Sequence, residues 1–203
     1  WETLEGVVKH NGPYEGKVSE TLKQLQKQTD LRLKTYASVE AQVAALADDV
    51  AYNNHDVEDG LRAGFFTLDD LKELRLLGEL LQKVQSRYPD LSEKITIQEV
   101  IREMIGAMVM DVLNESRTRL GDLNPKSPED VRKASHQVIS FSDDMYAKVE
   151  ELRGFLWSRM YTHYTVNRMR KKVSQIVSNL YDAFMEDPHL LPANWQERME
   201  EGG

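Results

Sequence analysis

The sequence predicts an all-α fold, a bundle of packed helices, and three observations carry that expectation. Apolar residues recur at three- and four-residue spacing through most of the 203 residues, the period of a helix with one buried stripe. Capping residues stand where those apolar runs begin. No stretch alternates apolar and polar residues for more than a few positions, and no segment repeats another.

The elements follow in order. Residues 17–30 read as a short polar helix. Ser38 is placed to cap a helix that runs to about Glu58, with Gly60 as its stop. Thr67 and Asp70 form a capping-box pattern ahead of Leu71, Leu74, Leu77 and Leu81, which are spaced like one helix face. Tyr88, Pro89 and Asp90 break that helix. Thr96 and Glu99 make a second capping-box pattern before Val100, Ile101, Met104, Ile105, Met108, Val109, Val112 and Leu113, and the helix stops at Gly121. Its apolar band is wide enough for a central core helix. Ser127 and Pro128 take cap and first-turn positions. Ser142 is placed to cap a helix to about His163, and another spans about Val166 to Met185, ended by Asp187 and Pro188. The tail from Pro192 is polar and is expected to fray.

Composition narrows the function. The chain is 40% hydrophobic and 30% charged, and at this length roughly 70% of the unfolded surface can be buried, so a proper core is possible. No apolar run approaches the length of a membrane span, and the first residues have neither a basic nor an apolar leader pattern. The absence of cysteine excludes a disulfide scaffold and a thiolate zinc site and fits a cytoplasmic location. The net charge of −8 argues against wholesale coating of nucleic acid but leaves room for a local basic site. A chain that opens on Trp1 rather than Met reads as a fragment or a processed product.

Charge is segregated. Thr35 to Leu61 holds no Lys or Arg but carries Glu40, Asp48, Asp49, Asp56, Glu58 and Asp59. Leu152 to Tyr181 holds no Asp or Glu but carries Arg153, Arg159, Arg168, Arg170, Lys171 and Lys172. Either the two segments are solvated faces or a mutually paired set of helices, or carboxylates hold a cation while basic groups hold the phosphates of one polyanionic substrate. Asp48, Tyr52 and Asp56 stand at i, i+4 and i+8, which puts them within roughly an 80° arc of one helix face. His55 falls inside that arc. A tyrosine there offers a flat face for a sugar or base and a hydroxyl for a hydrogen bond; the alternative is an exposed polar face with one amphipathic ring. Arg153, Trp157 and Tyr161 repeat the spacing; an Arg fork suits phosphate. His136 and His189 read as surface or cap residues, and no Ser-His-Asp arrangement or Gly-rich phosphate loop is present.

The run Ala47-Asp-Asp-Val-Ala-Tyr-Asn-Asn-His-Asp-Val-Glu-Asp-Gly60 resembles a signature of bacterial deoxyguanosinetriphosphate triphosphohydrolases and the proteins like them, in the HD superfamily of all-helical metal phosphohydrolases. The opening Trp1 to Pro13 and the run Arg153 to His163 look like the same family. The resemblance implies hydrolysis of a dNTP to deoxynucleoside and triphosphate. It implies one divalent cation (Mg, Mn or similar) with Asp48 as a ligand, Tyr52 against the deoxyribose, Asp56 at the sugar 3′-hydroxyl, Arg153 and Tyr161 lining the nucleotide pocket, and Lys9 facing the phosphates. Asp49 points about 100° away from Asp48 and is not expected to be a second ligand. By the same resemblance a His, a His-Asp pair and the catalytic acid/base lie upstream of Trp1, so the chain looks like the C-terminal part of a longer enzyme, with catalytic residues outside it. Residues 1–66 would complete the HD core, and 67–203 would form a helical region finishing the pocket and making contacts in a homo-oligomer. A nucleotide effector is a further expected partner; a membrane is not. The rival readings are a non-catalytic helical assembly module and another HD-type nucleotide phosphohydrolase.

Overall fold

The computed structural model describes residues 1–200. Among the described residues every regular element is helical, so the all-α expectation holds. The chain divides into two compact units, Trp1–Leu156 and Trp157–Gly203; the division of roles expected near Phe66 falls inside the first.

In the first unit the helices are α1 (Glu2–Val8), α2 (Glu20–Gln28), α3 (Val39–Arg62), α4 (Leu68–Leu71), α5 (Arg75–Arg87), α6 (Glu93–Leu123), α7 (Pro128–Arg132) and α8 (Asp143–Leu156). α6 packs on α3 and α5, α5 also meets α8, and α1 and α8 lie against α3. The core between them buries Val57, Leu77, Leu81, Val100, Met104, Met108, Val149 and Leu152, each large side chain contributing on the order of 1.5–3 kcal/mol relative to exposure.

Several caps stand where the sequence placed them. The Ser38 hydroxyl accepts from Ala41 N–H at the start of α3, Thr67 and Asp70 form a reciprocal capping box, and Ser142 accepts from Met145 N–H. Ser127 and Asp130 form a second box, with Pro128 in the first turn. Other expectations need correcting. Gly60 does not end α3, which runs on to Arg62. A Cβ on Gly60 would lie 2.2 Å from the Phe66 ring, so the glycine is there to let that ring close on the helix. Leu71, Leu74, Leu77 and Leu81 are all buried, but they are shared between α4 and α5. The chain turns at Leu74, and a Cβ on Gly78 would meet the Lys72 carbonyl at 2.5 Å, so the turn needs glycine there. α6 begins at Glu93, with Ser92 before it in the cap position rather than Thr96, whose hydroxyl instead donates to the Ser92 carbonyl. It passes through Gly121 and ends on Asn124, a left-handed cap. α6 is central on one side only, since Ile105, Val109, Met110 and Leu113 remain exposed.

A buried ion network anchors α1. Glu5 is buried and takes a hydrogen bond at 2.8 Å from Lys9 Nζ and two from Arg132 Nε, at 3.2 and 3.1 Å. Lys9 also donates to Thr35 Oγ1 at 3.0 Å and to the Tyr36 carbonyl at 3.3 Å. Arg132 adds Glu2 and Glu129 and lies 4.9 Å from the Trp1 ring centroid. Burial alone would lower the Arg132 pKa, but hydrogen bonds to Glu5 and Glu2 outweigh it and hold the group above its ordinary value. α1 is therefore fixed to α7, and the turn that follows it is held against α3.

The second unit opens on a π turn at Trp157–Tyr161. The Thr162 hydroxyl donates to the carbonyls of Trp157 and Ser158. The regular helix expected to reach His163 thus changes pitch after Leu156. α9 (Tyr164–Glu186), a short 3-10 turn (Pro188–Leu190) and α10 (Ala193–Glu200) complete the unit. The tail expected to fray is helical from Ala193 to Glu200; residues 201–203 lie outside the described residues.

Candidate functional site

α3 positions the first group of candidates. Its inner face carries Val50, Asn53, Asn54 and Val57, all buried, and this fixes the rotation of the helix. Asp48 and Tyr52 then fall on its outer face, 73% and 57% exposed, and Asp56 is half-buried one turn further on. The helical arc read from spacing is present as a surface. The far side of α3 borders an apolar groove of about 490 Å³ against α6, lined by Val43, Val50, Ile105, Val109 and Leu113. Asn54, one of its polar members, donates to the Val50 carbonyl, while its Oδ1 is the buried side-chain oxygen that lacks a partner among the described residues.

Two further elements reach α3, one at its outer face and one at its flank. The turn after α1 brings His10 Nε2 to 3.5 Å from Asp48 Oδ2. From α8, Arg153 reaches Asp49 Oδ1 at 3.2 Å and Asn53 Oδ1 at 3.4 Å, and it also pairs with Glu150 on its own helix. Asn53 in turn donates to the Asp49 carbonyl. His10, Asn11, Asp49, Tyr146 and Arg153 line a polar cleft of about 250 Å³. An Arg153–Asp49 ion pair joins the acidic and basic segments of the sequence here, in part the mutual pairing considered from sequence. A polyanion entering the cleft would exchange the Asp49 carboxylate for its own oxygens on the Arg153 fork.

The remaining candidates are Lys9 and Tyr161. Lys9, expected at the phosphates, has a side chain wholly buried, with its ammonium engaged by Glu5, Thr35 and Tyr36. It could turn to a phosphate only by abandoning a buried carboxylate. Tyr161 lies in the second unit, its ring 6.1 Å from that of Trp157. The participants that sequence reading passed over are Asp49, Asn53 and His10. Asn53 carries no chemical signature, and His10 is separated from Asp48 by 38 positions, α2 and the first turns of α3 among them.

The donor set for a cation is short. Asp48 and His10 supply one carboxylate and one imidazole, and no group of three or more His, Asp or Glu side chains able to hold a metal occurs among the described residues. A divalent cation takes six or more oxygen ligands, or at least four donors in a zinc site. The described residues do not by themselves fit a resident metal. Titration of the chain with Mn²⁺ in a calorimeter is accordingly expected to give no one-to-one binding in the micromolar range, and a micromolar isotherm would contradict this donor count.

No helix among the described residues is long and apolar enough to cross a membrane. Residues 139–203 match a family model described as a phosphohydrolase-associated domain. Over its whole length the chain is similar to proteins carrying the name deoxyguanosinetriphosphate triphosphohydrolase-like protein. One from Caulobacter vibrioides is 47% identical over 210 residues, covering 100% of this chain and 53% of the relative. One from Parvibaculum lavamentivorans is 46% identical, covering 97% and 51%. One from Cereibacter sphaeroides is 45% identical, covering 98% and 53%. The chain spans about half the length of the curated relatives it matches.

Proposed function

We propose, taking as premise the likeness of this chain to about half the length of deoxyguanosinetriphosphate triphosphohydrolase-like proteins, that this chain forms the sugar-facing part of a dNTP triphosphohydrolase site. The reaction is attack of water on the α-phosphorus. The new bond joins the water oxygen to phosphorus, the bond from phosphorus to the 5′ oxygen breaks, and the 5′ oxygen takes up a proton. The products are a deoxynucleoside and inorganic triphosphate.

The observation that carries this reading is the face of α3 that bears Asp48, Tyr52 and Asp56, with Asp48 3.5 Å from His10, a residue of the cleft that Arg153 also lines. Asp48 would contribute one ligand to a cation completed by residues outside this chain. The Tyr52 ring would lie on the deoxyribose where a 2′-hydroxyl would need room, and Asp56 would accept from the 3′-hydroxyl. Arg153, already holding carboxylate oxygens, offers a fork suited to phosphate. Tyr161 enters as a pocket residue through the family resemblance. Lys9 contributes indirectly by fixing the turn that carries His10.

The test is a matrix of variants in a protein extended to the length of the curated relatives. Tyr52→Ala removes the ring from the sugar and opens space for a ribose. The preference for dNTP over NTP in kcat/KM is expected to fall by roughly tenfold or more, since a ring contact of ~1–3 kcal/mol is lost and 1.4 kcal/mol is one decade. Asp56→Ala is expected to weaken substrates bearing a 3′-hydroxyl and to leave a 3′-deoxy analogue nearly unchanged, because only the former loses a hydrogen-bond partner. Equal slowing of dNTP and NTP by Tyr52→Ala, together with equal penalties on both sugars by Asp56→Ala, would mean that this face is merely solvated.

A further inference from the structure

Three acceptors meet the guanidinium of Arg153, and they differ in kind. Nη1 donates to Glu150 Oε1 at 3.0 Å, Nη2 pairs with Asp49 Oδ1 at 3.2 Å, and Nε donates to Asn53 Oδ1 at 3.4 Å. Glu150 and Asp49 are charged and half exposed, 50% and 54%. Ion pairs at that exposure contribute little, because water and salt screen them and two long side chains lose freedom in holding them. An anion of higher charge can take their place. Asn53 is neutral and only 2% exposed. It brings no charge for an anion to repel, and it lies out of the solvent.

The local geometry of α3 fixes which way the Asn53 amide faces. Its Nδ2 donates to the Asp49 carbonyl one turn back, at 2.7 Å. That bond commits the donor end of the amide to the backbone and leaves Oδ1 as the end that meets Arg153. Asn53 is held among the buried residues of the helix, with Val50, Asn54 and Val57, so its side chain has little rotamer freedom left to lose on holding the arginine. Asp49 and Asn53 stand four residues apart, each next in sequence to Asp48 and Tyr52. The flank of α3 therefore offers the same guanidinium one fixed acceptor and one replaceable acceptor.

We infer that Asn53 is a positioning residue that holds Arg153 by Nε as a fixed pivot, while Asp49 is a stand-in on Nη2 that gives way to an oxygen of the substrate triphosphate; this rests on the proposed role of Arg153 at the nucleotide. With Nε held, the guanidinium keeps its place in the cleft whichever oxygen sits on Nη2. A fork already held at one edge loses less freedom on taking the phosphate. The two neighbours of Arg153 on α3 are therefore expected to act with opposite sign.

The holding itself is tested in the 203-residue chain by heteronuclear NMR of the arginine Nε–Hε groups. The Arg153 Hε is expected to exchange with water at least roughly tenfold more slowly than that of an exposed arginine such as Arg168. Asp49→Asn is expected to keep that protection and Asn53→Leu to abolish it, with circular dichroism helical in both. Fast exchange in the parent chain, or protection that Asn53→Leu leaves intact, would overturn the inference.

The consequence for the reaction is read as kcat and KM for dGTP in a protein of the relatives' length. Asn53→Leu is expected to raise KM by roughly 10- to 100-fold, the scale of a lost hydrogen bond to a charged group. Asp49→Asn is expected to lower KM by roughly two- to fivefold, since the substrate no longer displaces a half-exposed ion pair. Asp49 is exposed, so this second arm stands even where Asn53→Leu folds poorly. Both effects are expected to vanish in an Arg153→Ala background, which loss of packing alone would not produce. Turnover indifferent to Arg153→Ala would overturn the reading of the site. A costly Arg153→Ala on which Asn53→Leu still adds its full penalty, or an Asp49→Asn that raises KM, would overturn this inference alone.

Discussion

Glu5→Gln is expected to lower the stability of the chain by about 3–5 kcal/mol, the scale of leaving a buried charge without its counter-ion. Glu5 and Lys9 side chains have no exposed surface, and Arg132 has almost none. The glutamine keeps the shape and one acceptor but removes the charge that both cations share. Arg132 retains Glu2 and Glu129, both partly exposed. Lys9 retains neutral acceptors, the Thr35 hydroxyl and the Tyr36 carbonyl among them, so it is the ion left without a counter-charge. A loss of this size would lower the melting temperature by about 10 °C for a unit of this length. Urea titration followed by circular dichroism gives the free energy directly. Adding Lys9→Met to Glu5→Gln removes the stranded ammonium and is expected to recover part of the loss. A Glu5→Gln variant within 1 kcal/mol of the parent chain, on the roughly ±0.5 kcal/mol scale of an ordinary surface change, would show that the network does not hold α1 in place.

Asp48→Ala is expected to act in the opposite way, on turnover and not on the fold. The side chain is 73% exposed, with His10 as its near neighbour, so its removal costs the fold little. In a protein of the relatives' length, loss of a residue that contributes a cation ligand should weaken Mn²⁺ binding by at least about 100-fold, since outer-shell partners alone are worth 10–100-fold. Turnover of dGTP should fall at least as far. Calorimetry and steady-state kinetics on the same variant check both. Turnover within tenfold of the parent, with Mn²⁺ affinity unchanged, would remove Asp48 from the site.

The fold class and most helix starts were legible because they are local. Ser38, Thr67, Ser127 and Ser142 each bond within three residues of themselves, and the apolar spacing of the α5 and α6 stripes shows directly in the sequence. What escaped depends on distant contacts. Gly60 looked like a helix stop because nothing local reveals that the Phe66 ring will occupy its Cβ space. The turn at Leu74 was hidden because Lys72 and Glu73 continue the helical pattern, and the constraint lies between Gly78 and the Lys72 carbonyl. The Glu5–Arg132 pair joins residues 127 positions apart, so the burial of Glu5, and of Lys9 with it, could not be read from the sequence, and the resemblance alone set Lys9 toward phosphate. At the site, the Asp48–Tyr52–Asp56 face was readable from helical geometry. The Arg153–Asp49–Asn53 contact was not, because it depends on how α8 lies across α3.

The most direct measurement of the central claim is product analysis of dGTP hydrolysis in heavy-oxygen water, by phosphorus NMR, with a protein that includes this chain and reaches the length of its relatives. The account predicts deoxyguanosine and intact inorganic triphosphate, with the heavy oxygen on the terminal phosphorus that had been the α-phosphorus. Pyrophosphate with deoxyguanosine monophosphate, or orthophosphate with the diphosphate, would contradict it.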